Sequence, residues 1–202
     1  MRKAASALGY HALVNGAKKV ILREFEPTAV LDAIQRHRVT KTILIPAALR
    51  LVVQHPKARE ADYRSLDHIL YGASAMPLNL LKEAIALFDC GFIQMYGLTE
   101  TTGGLTMLVP EDHVPEGSPR MLSAGKAFRD TELAIVDPQR KALPIGENGE
   151  IAIRSASNMV WAIGGKRQRR RPPSTRTAGS IRATPAILMR MAISISRTGS
   201  RT

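Results

Sequence analysis

Short apolar runs alternate with stretches of helical period along the first half of the chain. Lys19, Val20, Ile21 and Leu22 read as a buried strand. Pro27 suits the first turn of a helix, where its missing N–H costs little, and Val30, Ala33, Ile34 and His37 recur at helical spacing. Thr42, Ile43, Leu44 and Ile45 form the next strand, stopped by Pro46, and residues 47–54 form a second helix. His68, Ile69, Leu70 and Tyr71 then enter a glycine turn at Gly72. Pro77 opens a third helix whose Leu81, Ala84, Ile85 and Phe88 make one apolar face, and residues 92–96 form a further strand ending at Gly97. This alternation predicts an α/β layer, strands covered by helices.

The texture changes past Gly103 and Gly104, where shorter strands are separated by Pro and Gly. Leu133–Val136 runs into the turn residues Asp137 and Pro138, and Gly146–Gly149 leads into a strand from Glu150 to Arg154. A small β-rich subdomain is expected to follow the α/β layer. From Trp161 onward Arg, Ser, Thr and Pro dominate without a single acid, and disorder is the expectation.

Charge sharpens that division. The chain has 202 residues, 29 Lys and Arg against 17 Asp and Glu, a formal +12. All 17 acids lie in residues 1–160 beside 19 basic residues, a net of +2, whereas residues 161–202 hold Lys166 and nine arginines, a net of +10. A near-neutral body therefore carries a basic tail. The single cysteine, Cys90, excludes an internal disulfide framework and a Cys-cluster zinc site and fits a reducing compartment. No apolar run approaches the roughly 18 residues of a membrane-spanning helix, and the first residues lack the apolar stretch and cleavage site of a signal peptide. A cytoplasmic location is the expectation.

Two strand-to-turn segments could carry chemistry. In Tyr71–Pro77, Gly72, Ala73 and Ser74 leave room for a ligand against the backbone, and the following helix start presents free N–H groups; simple turn geometry is the alternative. In Gln94–Gly104, a strand delivers Tyr96, then the unhindered Gly97, the hydroxyl of Thr99 and the carboxylate of Glu100. This set suits stacking a base, bonding a phosphate oxygen and holding Mg²⁺. A core tyrosine followed by a loop accounts for the same residues equally well.

The run Tyr96-Gly97-Leu98-Thr99-Glu100-Thr101 closely resembles the Y-G-x-T-E motif of the adenylate-forming superfamily, which includes the acyl-CoA synthetases. Four further segments agree in order: Gly72–Pro77 with the nucleotide loop, Ile45-Pro46-Ala47 with a V-P-x strand end, Ser123–Lys126 with S-V-G-K, and Gly149–Arg154 with G-E-I-x-x-R. The resemblance covers roughly residues 10–160 and is nearest to the fatty-acyl or aryl-CoA ligase branch. It implies a partial N-terminal domain of an adenylate-forming enzyme over residues 1–160, with a disordered tail over 161–202. It also implies a two-step reaction, in which a fatty or aryl carboxylate and ATP·Mg²⁺ give an acyl-adenylate, and coenzyme A then displaces AMP. Carried over, Gly72, Ala73 and Ser74 line the adenine and acyl side, and Gln94, Met95, Tyr96 and Gly97 form the strand against which adenine stacks. Thr99 bonds the α-phosphate and Glu100 helps hold Mg²⁺, these two being the catalytic residues.

Departures from the family bear on activity. No segment matches its Ser/Thr/Gly-rich phosphate loop, its ribose-binding T-G-D, its hinge or its catalytic lysine domain. His11 sits too close to Gly16 and Ala17 to match the family's active-site histidine and is read as a helix-surface or core residue. After Val160 the family pattern continues G-Y-W, yet this chain reads Trp161, Ala162, Ile163. Reading one nucleotide earlier, UGG followed by GCN forces a glycine and then permits Tyr and Trp. The same shift over Thr177–Thr202 permits D-G-W-F-H-T-G-D-A-G-Y-L-D-E-D-G-Y-L-Y-I-x-D-R-V-K-D, the family's next stretch. Residues from about Trp161 are therefore expected to be an out-of-frame translation. The expected function is a fragment of an ATP-dependent acyl-CoA synthetase, impaired or inactive as it stands, with no nucleic-acid partner. The alternative is a non-enzymatic module that binds nucleic acid or anionic membrane through Lys166–Arg171 and the later arginines.

Overall fold

The computed structural model of the protein describes residues 9, 12–101, 103–155 and 186–189. Helix α1 spans Pro27–His37. The carboxylate of Glu26 caps its start, accepting the Ala29 amide at 2.7 Å, and Pro27 occupies the first turn. Its far end is closed by Arg38 in the left-handed region, with Arg36 in the last turn, where its positive charge meets the carbonyl end of the helix. Strand β1 is Lys41–Ile43, α2 is Pro46–Val53, β2 is His68–Gly72 and α3 is Leu78–Phe88. Strand β3 runs Gly91–Leu98, β4 Gly103–Leu108 and β5 Lys126–Ala127.

These five strands follow one another in one sheet in the order β1-β2-β3-β4-β5. β1, β2 and β3 are parallel, with Lys41 opposite His68 and Gly72 opposite Met95. A helix lies between each successive pair in sequence, as parallel neighbours require. Val30, Leu31 and Ile34 of α1, Leu49 and Val52 of α2 and Leu81, Ala84 and Phe88 of α3 bury their stripes in one core with Ile69, Tyr71 and Phe92 of the sheet. Each of the buried Val, Leu, Ile and Phe side chains contributes about 1.5–3 kcal/mol by leaving water.

The described chain forms two compact units. One is built from the residues up to Tyr96 together with Thr106–Lys126, the other from Gly97–Leu105 with the residues from Ala127 on. The second contains a three-stranded antiparallel sheet of β6 (Thr131–Val136), β7 (Glu150–Ser155) and β8 (Ala186–Met189), in the order β6-β7-β8. Thr131 stands opposite Ser155 and Val136 opposite Glu150, while Ile151 stands opposite Met189. The mixed α/β architecture with its β-rich continuation is the expected one.

Two expectations need adjustment. Residues 19–22 are not a strand: they pair with no neighbouring strand, and Ile21 is 78% exposed. An apolar run becomes a strand only where a neighbouring backbone pairs with it, and here charged Lys18, Lys19, Arg23 and Glu24 bracket just three apolar residues. Within the basic tail, the uncharged run Ala186–Met189 pairs with β7, so the expectation of an irregular tail does not extend to these four residues. The remaining tail residues and His11 lie outside the described residues.

Candidate functional site

The loop after β2 is shaped by backbone proximity. A Cβ at Gly72 would stand 2.2 Å from the Met95 carbonyl oxygen, so only glycine lets β2 lie against β3 at this register. Ala73 adopts φ 66°, a left-handed conformation that costs a non-glycine residue about 1–2 kcal/mol. Ala73, Ser74 and Ala75 are exposed, while Met76 anchors the loop in the core. Pro77 precedes α3 without a side-chain cap, leaving the first-turn N–H groups open. Gly72 and Met95, and Tyr71 and Gln94, are thus brought together as strand neighbours.

Gln94, Met95 and Tyr96 are half-buried on β3. Beneath them lies a polar network: the Tyr71 hydroxyl is 2.9 Å from His113 Nε2 and 3.4 Å from Gln94 Oε1, and His113 Nδ1 is 2.8 Å from the Val109 carbonyl. Burial keeps the His113 ring below its ordinary pKa and raises the Tyr71 phenol, so both are neutral near pH 7. The Tyr96 phenol is also raised by burial.

Thr99 and Glu100 occupy the two central positions of a turn, with the Thr101 amide donating to the Leu98 carbonyl at 3.3 Å. Thr99 is exposed and Glu100 half-buried. Thr101 is fully buried, accepts the Leu98 amide at 3.0 Å and shares its single hydroxyl proton between the carbonyls of Leu98 and Gly103, each at 3.0 Å. A Cβ at Gly97 would meet the Gly103 carbonyl oxygen at 2.0 Å, so glycine is required there as well. The turn thus presents one hydroxyl and one carboxylate on a pinned backbone.

Other matched segments have structural work. Gly125, at φ 86°, lets the chain press against Met107, and the Thr106 hydroxyl donates to the Ala124 carbonyl. Arg154 pairs with Glu132 at 3.0 Å on the surface, a contact worth little by itself. A cavity of about 330 Å³ is lined by Leu133, Ile135, Leu143, Pro144 and Glu147, none of them a residue of the two candidate segments.

Thr101 and His113 had no assigned role in the sequence reading. A threonine three residues after Leu98 is a weak turn signal, and nothing local to His113 reveals a partner 42 residues away. The fit to a nucleotide is partial: exposed small-residue backbone, an uncapped helix start, a half-buried tyrosine and a hydroxyl beside a carboxylate are all present. No group of three or more metal-ligating side chains stands together among the described residues. Magnesium that arrives on nucleotide phosphates needs only one or two carboxylates, which Glu100 can satisfy.

The chain is 33% identical over 150 residues to the fatty acid–[acyl-carrier-protein] ligase ScoC of Streptomyces coeruleorubidus, covering 73% of this chain and 29% of that protein. It is 33% identical over 150 residues to the medium/long-chain-fatty-acid–CoA ligase FadD8 of Mycobacterium tuberculosis, covering 74% and 26%. Among solved structures, the amide bond synthetase McbA from Marinactinospora thermotolerans superposes with a TM-score of 0.70 at 31% identity, over 76% of this chain and 31% of that one. The chain thus spans less than a third of the length of these relatives. The family description "AMP-binding enzyme" matches residues 5–160, and the chain belongs to that family of adenylate-forming ligases.

Proposed function

We propose that this chain carries part of the nucleotide-binding surface of an ATP-dependent acyl-CoA synthetase and, as these 202 residues stand, turns over poorly or not at all. The observation that carries the reading is the pinned turn Leu98–Thr101, which holds Thr99 and Glu100 at the end of β3 in a chain of this family. Gly72, Ala73 and Ser74 line the adenine and acyl side, and Gln94, Met95, Tyr96 and Gly97 supply the strand against which adenine stacks. The Thr99 hydroxyl would donate to the α-phosphate, and the Glu100 carboxylate would help hold Mg²⁺. Bound Mg²⁺ supplies charge neutralisation at phosphorus.

The relatives' names speak of fatty acid, feruloyl and indoleacetate ligation, so the acid that this site serves is a fatty or aryl carboxylate, with coenzyme A as the acceptor. Acyl transfer needs groups that act as a unit, and lone fragments of such units lose most of the rate. These residues contain no counterpart of the phosphate loop, ribose carboxylate or catalytic lysine of the family. ATP titration with and without Mg²⁺ tests the surface. Magnesium-dependent binding that weakens in Glu100→Gln supports it; equal binding by the two chains contradicts the role of Glu100.

The tail from about Trp161 is an out-of-frame translation, a reading supported by the contiguous family-like stretch one nucleotide away. The coding DNA decides it: a preceding frame that does not spell that stretch removes the idea.

A further inference from the structure

Strand β7 is antiparallel to both of its neighbours, but the two contacts are unequal. It pairs with β6 along its whole length, from Glu150 opposite Val136 to Ser155 opposite Thr131. It pairs with β8 only from Ile151 to Arg154, and there the Arg154 charge stands opposite Ala186. Ile151 and Ile153 are buried and define the core face of the strand, so Glu150, Ala152 and Arg154 share the other face. The strand therefore reads Glu-Ile-Ala-Ile-Arg, with isoleucine on either side of Ala152 and opposite charges equally far from it.

Such a strand is complementary to itself. In an antiparallel pair with a two-fold axis at Ala152, Glu150 stands opposite Arg154 of the second copy, Arg154 opposite its Glu150, and Ile151 opposite its Ile153. Opposite residues share a face, so the isoleucines stay on the core face and both charge pairs on the outer one. Arg154, 3.0 Å from Glu132 on β6, would then stand between two carboxylates. The resident β8 offers no charge opposite Arg154. Its advantage is the tether, since it belongs to the same chain and is joined through residues 156–185.

We propose that the outer edge of β7 is a self-recognition surface, that its partner is a second copy of this chain paired edge to edge about Ala152, and that β8 is the strap that covers it. The pairing is isologous and uses the same edge of both copies, so it stops at two chains. Keeping β8 on that edge holds the chain monomeric, as covering an exposed strand edge does elsewhere.

Sedimentation of the full chain and its variants tests the proposal. The unaltered chain is expected to run as a monomer at micromolar concentration, because a tethered strand outcompetes a free one. Ile187→Pro together with Leu188→Pro lifts β8, since successive N–H groups point to opposite edges and one of these two serves β7. That chain is expected to dimerise. Adding Arg154→Glu sets like charges opposite each other twice and weakens the dimer by about tenfold or more. Adding Glu150→Arg as well exchanges the two signs and restores it. Both of these chains lose the Glu132 contact, so the difference between them reports the second copy alone. A proline variant that stays monomeric, an unaltered chain that dimerises to the same extent, a dimer indifferent to the charge reversal, or growth beyond two chains overturns the proposal. A second measurement leaves β8 intact. Under oxidising conditions Ala152→Cys lies on the axis and accumulates as a disulfide-linked dimer as β8 opens, whereas Ala134→Cys, opposite it on β6, does not. Equal cross-linking of the two chains, or none in either, refutes the pairing.

Discussion

Leu98 and Thr101 are tied twice: the Leu98 amide donates to the Thr101 hydroxyl at 3.0 Å, and the Thr101 amide donates to the Leu98 carbonyl at 3.3 Å. The two bonds close a turn whose only free side chains are Thr99 and Glu100. A fully buried hydroxyl thereby sets the geometry of an exposed pair. Replacing Thr101 with Val keeps the shape but removes the hydroxyl that the Leu98 amide and the Gly103 carbonyl bond, at a cost of about 1–3 kcal/mol. Thr101→Ser retains the hydroxyl and should recover most of that loss. Urea unfolding of the two variants measures the difference.

Gly72 and Gly97 stand where strands approach too closely for a side chain, with carbonyl oxygens 2.2 and 2.0 Å from an added Cβ. Gly72→Ala and Gly97→Ala are each expected to destabilise by about 1–3 kcal/mol or more, because backbone, not a flexible side chain, is in the way. Gly103 has nothing within 4 Å of such an atom, so Gly103→Ala should change stability by less than about 1 kcal/mol. Thermal melting of the three variants side by side checks the contrast.

His113 gives the fold a pH dependence of known sign. Burial depresses its pKa in the folded chain, so the unfolded chain binds the proton more readily. Stability should fall as pH drops below about 6.5, the ordinary histidine value, and continue falling until the folded-state pKa is passed. His113→Phe removes this component. Denaturation midpoints from pH 8 to pH 5, compared between the two chains, read it directly; identical slopes would contradict the assignment.

Much of this architecture is legible in the sequence, and the reasons for the gaps are physical. Val30 and Ile34 of α1, and Leu81, Ala84 and Phe88 of α3, announce their buried stripes by period alone. Residues 19–22 mislead because hydrophobicity does not report whether a partner strand exists. The left-handed Ala73 gives no compositional sign, since alanine rarely adopts that conformation. The motif at Tyr96–Glu100 is visible as a string of residue types, but the grip of Thr101 on it depends on a turn, and the Tyr71–His113 bond depends on a long-range fold.

Salt dependence tests the alternative reading, in which the basic tail is a binding module. Residues 161–202 carry a net +10, and binding through them to RNA, DNA or anionic lipid would weaken steeply with salt. If the tail is a by-product of a shifted frame, the chain ending at Val160 should bind nucleotides as the full chain does; if the tail is a binding module, that truncation should abolish the salt-sensitive binding. Polyanion binding that survives the truncation would place that activity in the body.

Pyrophosphate release from ATP, followed with a panel of fatty and aromatic acids, tests most directly whether a nucleotide surface persists here without ligase chemistry. No acid-dependent release above buffer is expected from the chain. Acid-dependent release at the rates of ordinary enzymes, about 1–10³ s⁻¹, would show that these residues suffice for adenylate formation and that the reading of an impaired slice is wrong.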